Sequence, residues 1–365
     1  MTSVTKAMTI VAGLGCAAAY VSPVAALDPD PSLTGSVYMM LPNFTTVRFV
    51  QKDAPAFVAA LKKYAPNIKV EVVNGESNPQ LQQSQVDAAI TGGAKAIVLI
   101  AADPSLASGS LNAAKKAGIP LIAYEHEASG GPVTYYTQFG ALKVGEAQGK
   151  NAAAALSDGG PYKIARLYGN KGDFYTRATK EGQDEFLKPL VDAKKVEVVC
   201  EDYVPNWNPS DAQHIMEQCL TKTNGDFSAI VASNDGTAEG ALAALVSQGL
   251  AGKIKILGGQ DANVTTLQNI LLGLQHGTVL KTYPLLADSA ARLAVDAIKG
   301  QKPEDGHING EFDNGFAKIP TAYIDVEMID KSNVGDVVKA GVWTWKDICT
   351  GPVAKTDTCK QHAGE

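Results

Sequence analysis

The chain has 365 residues, of which 45% are hydrophobic and 19% charged. These values exclude a disordered, collagenous or multi-span membrane polypeptide, and the length supports about two domains with their own cores. Lys and Arg total 32 against 38 Asp and Glu, a formal charge of -6. Basic residues gather only in pairs such as Lys62-Lys63 and Lys115-Lys116, so nucleic acid is not an expected partner.

Residues 1–26 read as a removable export signal. Lys6 ends a short n-region, an apolar run too short to span a bilayer comfortably continues to Val21, and Val24-Ala25-Ala26 supplies the small residues of a cleavage site. Cys16 after Gly15 opens an alternative, lipid attachment, which Gly13 disfavours because a bulky aliphatic belongs there. Either route places the body outside the cytoplasm, in the periplasm. The remaining cysteines, Cys200, Cys219, Cys349 and Cys359, allow three connectivities. Their spacing suggests Cys200 with Cys219 and Cys349 with Cys359, in an oxidising compartment. Cysteine and histidine do not recur at zinc-finger spacing, and no metal is expected.

In chain order, Ser36 to Leu41 reads as a strand and Ala54 to Tyr64 as a helix, with Phe57, Leu61 and Tyr64 at three- and four-residue spacing. Further strands are predicted at Lys69 to Val73, Ala96 to Ile100, Pro120 to Tyr124 and Lys163 to Tyr168. Val196 to Val199, Ala229 to Ala232 and Lys255 to Gly258 complete the set. Helices fit between them at Gln80 to Ile90, Leu106 to Lys116 and Ala141 to Leu156. Others are expected at Arg177 to Leu187, Ser210 to Thr221 and Ala238 to Gln248. This alternation predicts an α/β protein with largely parallel sheets, and more units than one sheet holds, hence two lobes. Open parallel sheets bind ligands beyond the carboxyl ends of their strands.

Polar residues collect at those ends: Glu125 and His126, Asn234 and Asp235, Gln260 and Asp261. Carboxylates accept, and amides both donate and accept, so such a set can pair with adjacent hydroxyls of a polyol. Asn234, Asp235 and Asp261 are equally suited to capping helices, and Asp103 reads as a turn or cap residue. Trp207, between Pro205 and Pro209, offers a flat face for a pyranose, with Phe44 and Phe49 as candidates for the opposite face. Arg48 and Lys281 are candidate donors to hydroxyls. Arg177 either does the same or pairs with Asp173. The chain has no Gly-x-Gly-x-x-Gly after its first strand, no phosphate loop, no nucleophile elbow and no His-Glu-x-x-His. No catalysis is expected. Paired carboxylates leave a carbohydrate-active hydrolase as a remote alternative.

The segments Val231 to Asp235 with Thr237-Ala238, Gly249-Leu250 to Gly252-Lys253, Gly259 to Ala262, and Thr278-Val279 with Lys281 carry a family resemblance. Roughly from Gly35 to Trp345, the chain resembles the periplasmic sugar-binding proteins of ATP-driven (ABC) importers, in the ribose/galactose-binding group and particularly its D-xylose-binding members. The resemblance implies the type I periplasmic binding protein fold, with two Rossmann-like lobes joined by a three-segment hinge. Residues 34–139 and 282–317 would form the N-terminal lobe, and 140–281 and 318–346 the C-terminal lobe. Crossings would fall near Phe139, Leu280 and Ala317, and Cys349 and Cys359 would staple an exposed tail over residues 347–365.

It implies a protein that performs no chemistry, closes on one monosaccharide and delivers it to an ABC transporter permease; no cofactor is expected, and a monomer suffices because closure against a permease needs no dimer. On that pattern Trp207 stacks on the sugar, Asn234, Asp261 and Lys281 bind hydroxyls, and Arg48 is the arginine after the first strand. Glu125-His126 replaces an Asp-Arg pair, and Phe174 or Tyr175 stands where an Asn is expected after Asp173. D-xylose is the leading ligand, with glucose, another aldose or a polyol as alternatives. A sugar-sensing ectodomain or chemoreceptor adaptor is the alternative role.

Overall fold

The computed structural model describes residues 27–44 and 46–364, so the export signal and Cys16 lie outside the described residues. The first lobe opens with β1 (Gly35–Leu41), α1 (Ala54–Tyr64), β2 (Ile68–Asn74) and α2 (Pro79–Thr91). It continues through β3 (Ala96–Leu99), α3 (Ser108–Lys116), β4 (Leu121–Tyr124) and β5 (Tyr135–Phe139). The second lobe takes α4 (Ala141–Ala155), β6 (Tyr162–Tyr168), α5 (Phe174–Asp192), β7 (Val196–Tyr203) and α6 (Pro209–Thr223). After these come β8 (Ala229–Ala232), α7 (Asp235–Ser247), β9 (Lys255–Gly258), α8 (Val264–Leu272) and β10 (Gly277–Lys281). The chain then returns to the first lobe with α9 (Tyr283–Lys299), β11 (Gly310–Asp313) and β12 (Lys318–Ile324). It ends on the second with β13 (Val326–Asp330), α10 (Val334–Lys339), α11 (Trp345–Ile348) and α12 (Asp357–Gln361).

The first sheet runs β11-β12-β5-β4-β3-β1-β2, parallel throughout except for the β11–β12 edge pair. Strands β3, β4 and β8 are buried along their whole length. Helices cover both faces of such strands, so their sequences are uninterrupted aliphatic runs. The second sheet is the parallel β7-β6-β8-β9, continued by the antiparallel β10-β13 ladder through a bridge between Gln260 and Val279.

Against expected crossings near Phe139 and Leu280, the chain passes from β5 to α4 at Gly140 and from β10 to α9 at Thr282. The third does not fall at Ala317. Lys318–Ile324 pairs in parallel with β5 in the first sheet, so residues 318–324 belong to the first lobe and the chain crosses at Asp325. The cysteines pair as their spacing suggests, with Cα separations of 6.0 Å for Cys200–Cys219 and 5.4 Å for Cys349–Cys359. The tail is not an exposed loop as expected, because Trp345, Ile348, Val353 and Cys359 dock into the second lobe's core beside Leu267 and Ile270.

Helices α4 and α5 pack closely through Gly145, Gly149 and Gly182; a methyl on Gly145 would collide with the carbonyl of Thr179, and one on Gly182 with that of Leu142. This contact lets Gln148 Nε2 donate to the carbonyls of Ser233 and Gly259, both at 2.9 Å. Gln183 Nε2 in turn donates to Gln148 Oε1 at 2.7 Å. The helix pair therefore holds the ends of β8 and β9, from which Asn234 and Asp261 project. Gly145→Ala should cost about 1–3 kcal/mol of stability by overpacking. Urea unfolding checks this, and an unchanged midpoint would show that the helices can separate freely.

Burial on α7 pushes the Glu239 carboxyl up to about 7. A carboxyl raised on folding makes stability fall as pH climbs from its unfolded value through its folded one. Glu239→Gln should therefore raise stability by about 1–3 kcal/mol near pH 8 and by almost nothing near pH 4. Thermal melts at the two pH values test this, and a gain that does not change with pH would assign it to another cause.

Candidate functional site

The chain leaves β1 into a widened helical turn, Phe49–Asp53, that runs directly into α1. This turn brings Arg48 and Asp53 together: Arg48 Nε lies 2.8 Å from Asp53 Oδ2, and the Tyr124 hydroxyl donates to Asp53 Oδ1 at 2.5 Å. From the same guanidinium, Nη1 reaches Asp261 Oδ1 at 3.0 Å and Nη2 reaches Glu125 Oε1 at 3.4 Å. Lys281 Nζ stands 2.7 Å from Glu125 Oε1 and 3.5 Å from Asp261 Oδ1. Arg48 and Glu125 come from the first lobe, Asp261 from the second and Lys281 from the strand entering the hinge. The ion pairs therefore span the cleft.

All five of these charged groups are buried, and their ionisation follows from who faces whom. Burial pushes the Glu125 carboxyl up, but Lys281 and then Arg48 outweigh it and hold the group below the usual range. For Asp53 burial prevails over Arg48, and its carboxyl is raised. Burial works against the Lys281 ammonium, yet Glu125 ahead of its other partners keeps it above its ordinary value. One acceptor is left over: Glu125 Oε2 is buried without a hydrogen-bond partner.

Aromatic planes frame this cluster. Trp207 lies against Gly169, where a Cβ would collide with the indole, and its Nε1 donates to Asp173 Oδ2 at 2.9 Å. Tyr175 meets Trp207 edge-on, with centroids 6.5 Å apart, donates to Gln260 Oε1 at 3.0 Å, and lies beneath Lys281 Nζ at 4.6 Å. Phe49 meets His126 edge-on at 5.5 Å. His126 Nδ1 is 3.2 Å from the carbonyl of Ala101, which can only accept, so Nδ1 carries a proton and donates to it. Glu125, Asn206, Trp207, Asp261 and Ala262 all take positive φ without being glycine. Backbone strain of this kind persists where the surroundings over-determine a functional position.

Between the lobes lies a small cavity of about 30 Å³ lined by Thr46, Arg48, Phe49, Glu125, His126, Tyr175, Trp207, Asn234, Gln260, Asp261 and Lys281. Nine residues singled out from the sequence are thus brought together. Phe44 is not among them; it is 59% exposed on the loop after β1, and Phe49 supplies the aromatic on that side. Arg177 also stays outside, donating to the Gly172 carbonyl at 2.8 Å. Helix α5 begins at Phe174 rather than Arg177, and its phase turns Tyr175, Thr176 and Ala178 inward and Arg177 outward.

Asn234 lines the cavity and also caps α7, accepting from Thr237 N at 2.8 Å. Asp235 faces away, accepting from Thr278 Oγ1 and Asn263 N. Asp103 caps a short turn through Ser105 N at 2.9 Å. Sequence reasoning missed Thr46 and Asp53, and named Gln260 among the strand-end polar residues without singling it out. Asp53 was findable as the carboxylate five residues after Arg48 on a helical entry, and Gln260 as the neighbour of Asp261.

Two lobes, three crossings and a charged, aromatic-lined cavity at the strand ends define a solute-binding protein. Residues 37–302 match the periplasmic binding protein domain, and the chain belongs to that family. It is similar to the D-xylose-binding periplasmic protein of Haemophilus influenzae, 34% identical over 82% of this chain and 87% of that one. It is similar also to the Escherichia coli D-xylose-binding periplasmic protein, 35% identical over 79% of this chain and 84% of the other. Among solved structures, an ABC transporter solute-binding protein of Clostridium phytofermentans with bound β-D-glucose superposes with a TM-score of 0.76. It is 26% identical, with 86% of this chain and 99% of that chain covered. Among the described residues no helix is long and apolar enough to cross a membrane.

Proposed function

We propose that this protein captures one neutral monosaccharide, D-xylose or a related aldose, between its closing lobes, and releases it unchanged to the permease of an ABC importer. The observation that carries this reading is the interlobe cavity itself, which Trp207 lines together with charged and amide groups contributed by both lobes. An indole covers the apolar face of a pyranose, while carboxylates, amides and a guanidinium replace water at its hydroxyls. Asp261, Glu125 and Asn234 accept or exchange hydroxyl hydrogen bonds, Arg48 and Lys281 donate, and the unpartnered Glu125 Oε2 supplies an acceptor already desolvated. The excess of carboxylate over cation favours an uncharged sugar over a sugar acid or phosphate. The D-xylose-binding relatives and the glucose-bound neighbour support an aldose of this size.

Calorimetric titration of sugar-free protein with xylose, glucose, ribose, galactose, arabinose and inositol tests the reading. One site with a clear preference for an aldose is expected. Absence of heat with every sugar would end the assignment.

A further inference from the structure

We propose that Lys52 and Trp343 are positioning residues that latch the two lobes together outside the cavity and hold the Asp261-Ala262 turn facing it. The proposal rests on the lobe-closing function argued above. Neither side chain lines the cavity.

Lys52 belongs to the widened turn of the first lobe, next to Asp53. Its Nζ lies 3.3 Å from the centroid of the Trp343 ring and donates to the Val342 carbonyl at 3.3 Å. Val342 and Trp343 sit between α10 and α11 and pack with the second lobe's core. The contact therefore joins the lobes, and hinge opening must break it. The same carbonyl also accepts from the Tyr283 hydroxyl at 2.6 Å, on the first turn of α9 just after the hinge crossing at Thr282.

Trp343 links this contact to the site. Its Nε1 donates to the Ala262 carbonyl at 2.8 Å. Asp261 and Ala262 hold φ of 99° and 50°, conformations that non-glycine residues keep only when fixed from outside. Asp261 is the carboxylate that Arg48 and Lys281 both address across the cleft. The strand of chain carrying Trp343 is itself fixed by buried Trp345, whose ring stacks on His362 at 4.1 Å, and by the Cys349–Cys359 bridge. The docked tail thus forms a rigid platform for a closure contact.

A latch that favours the closed form changes apparent affinity through the closed fraction alone, by the same factor for every sugar. Loss of a partly desolvated cation–π contact with its hydrogen bond should weaken binding by about 5- to 30-fold. The test is titration of D-xylose and D-glucose into wild type, Lys52→Met, Lys52→Arg and Trp343→Leu, with small-angle scattering of each protein without sugar. Lys52→Met should weaken both sugars equally, leave their ratio unchanged and enlarge the unliganded radius of gyration; Trp343→Leu, which also releases the Ala262 carbonyl, should enlarge the radius and weaken both sugars at least as much; Lys52→Arg should restore most of the affinity.

In Lys52→Met, affinities within twofold of wild type, or a loss confined to one sugar, would overturn the latch. If Trp343→Leu fails to fold, Lys52→Met decides, since Lys52 is partly exposed. If wild type takes up neither sugar, the sugar-binding reading fails and scattering alone judges the latch: an unchanged radius in Lys52→Met overturns it.

Discussion

Replacing Arg48 with alanine is expected to lower the unfolding free energy near pH 7 by about 3–5 kcal/mol, the cost of leaving buried charge without its partner. The guanidinium is within 2.8 Å of Asp53, 3.0 Å of Asp261 and 3.4 Å of Glu125. Its removal leaves three carboxylates in one enclosed space with Lys281 as the nearby cation. Glu125 gives the sign of the pH dependence. Burial pushes its carboxyl up, Lys281 and Arg48 pull it further down, and the net value in the folded protein is lowered.

A lowered carboxyl contributes stability above its unfolded pKa and loses it as pH falls through the folded one. Without Arg48 part of that lowering is lost, Lys281 keeping the rest, and Asp53, already raised by burial, rises further. The variant's deficit should therefore be greatest near neutrality and shrink toward pH 4, where the carboxyls can protonate. Urea unfolding across this range measures it. A neutral-pH deficit below about 1 kcal/mol would mean that water enters the cluster and screens it.

Trp207→Ala is expected to weaken sugar binding roughly 30- to 150-fold, about 2–3 kcal/mol, with little change in folding stability. The indole is placed by contacts that do not involve ligand: the bare backbone of Gly169 beneath it, the Asp173 carboxylate at its N–H and the edge of Tyr175. It therefore presents a preorganised plane, and its truncation removes stacking area without opening the core. Trp207→Phe should fall between the two, because a smaller ring lacks the N–H anchor. Calorimetry with D-xylose gives the answer; an affinity within threefold of wild type in Trp207→Ala would remove Trp207 from the binding surface.

Strand positions were legible because they depend on local composition. Ala229–Ala232 and Lys255–Gly258 occupy the residues expected, as does the helix Ala54–Tyr64. A strand buried on both faces must be aliphatic throughout, and an amphipathic helix must repeat its apolar face. Tyr135–Phe139 escaped notice because it reads Tyr-Tyr-Thr-Gln-Phe, with no aliphatic run. Its polar members are buried by partners distant in sequence, such as Ser289, whose Oγ accepts from Thr137 at 3.0 Å.

The candidate site divides along the same line. Residue types at strand ends identified Glu125, His126, Asn234, Asp261 and Lys281, since a parallel sheet exposes those ends to ligand. Arg177 and Phe44 were misplaced because helix phase and loop direction depend on where the flanking elements dock.

By itself, then, the sequence determined the α/β alternation, the two lobes, the two cysteine pairs and most of the polar side chains available to a ligand. Each of these is set by composition and spacing over a few residues. Only the tertiary structure decided that Lys318–Ile324 completes the first sheet, that the tail docks rather than hangs free, and that Arg48 meets Asp261 across the cleft. Those outcomes join residues up to 213 positions apart. A strand's edge, a tail's groove and an ion pair's partner exist only once both lobes have folded and closed.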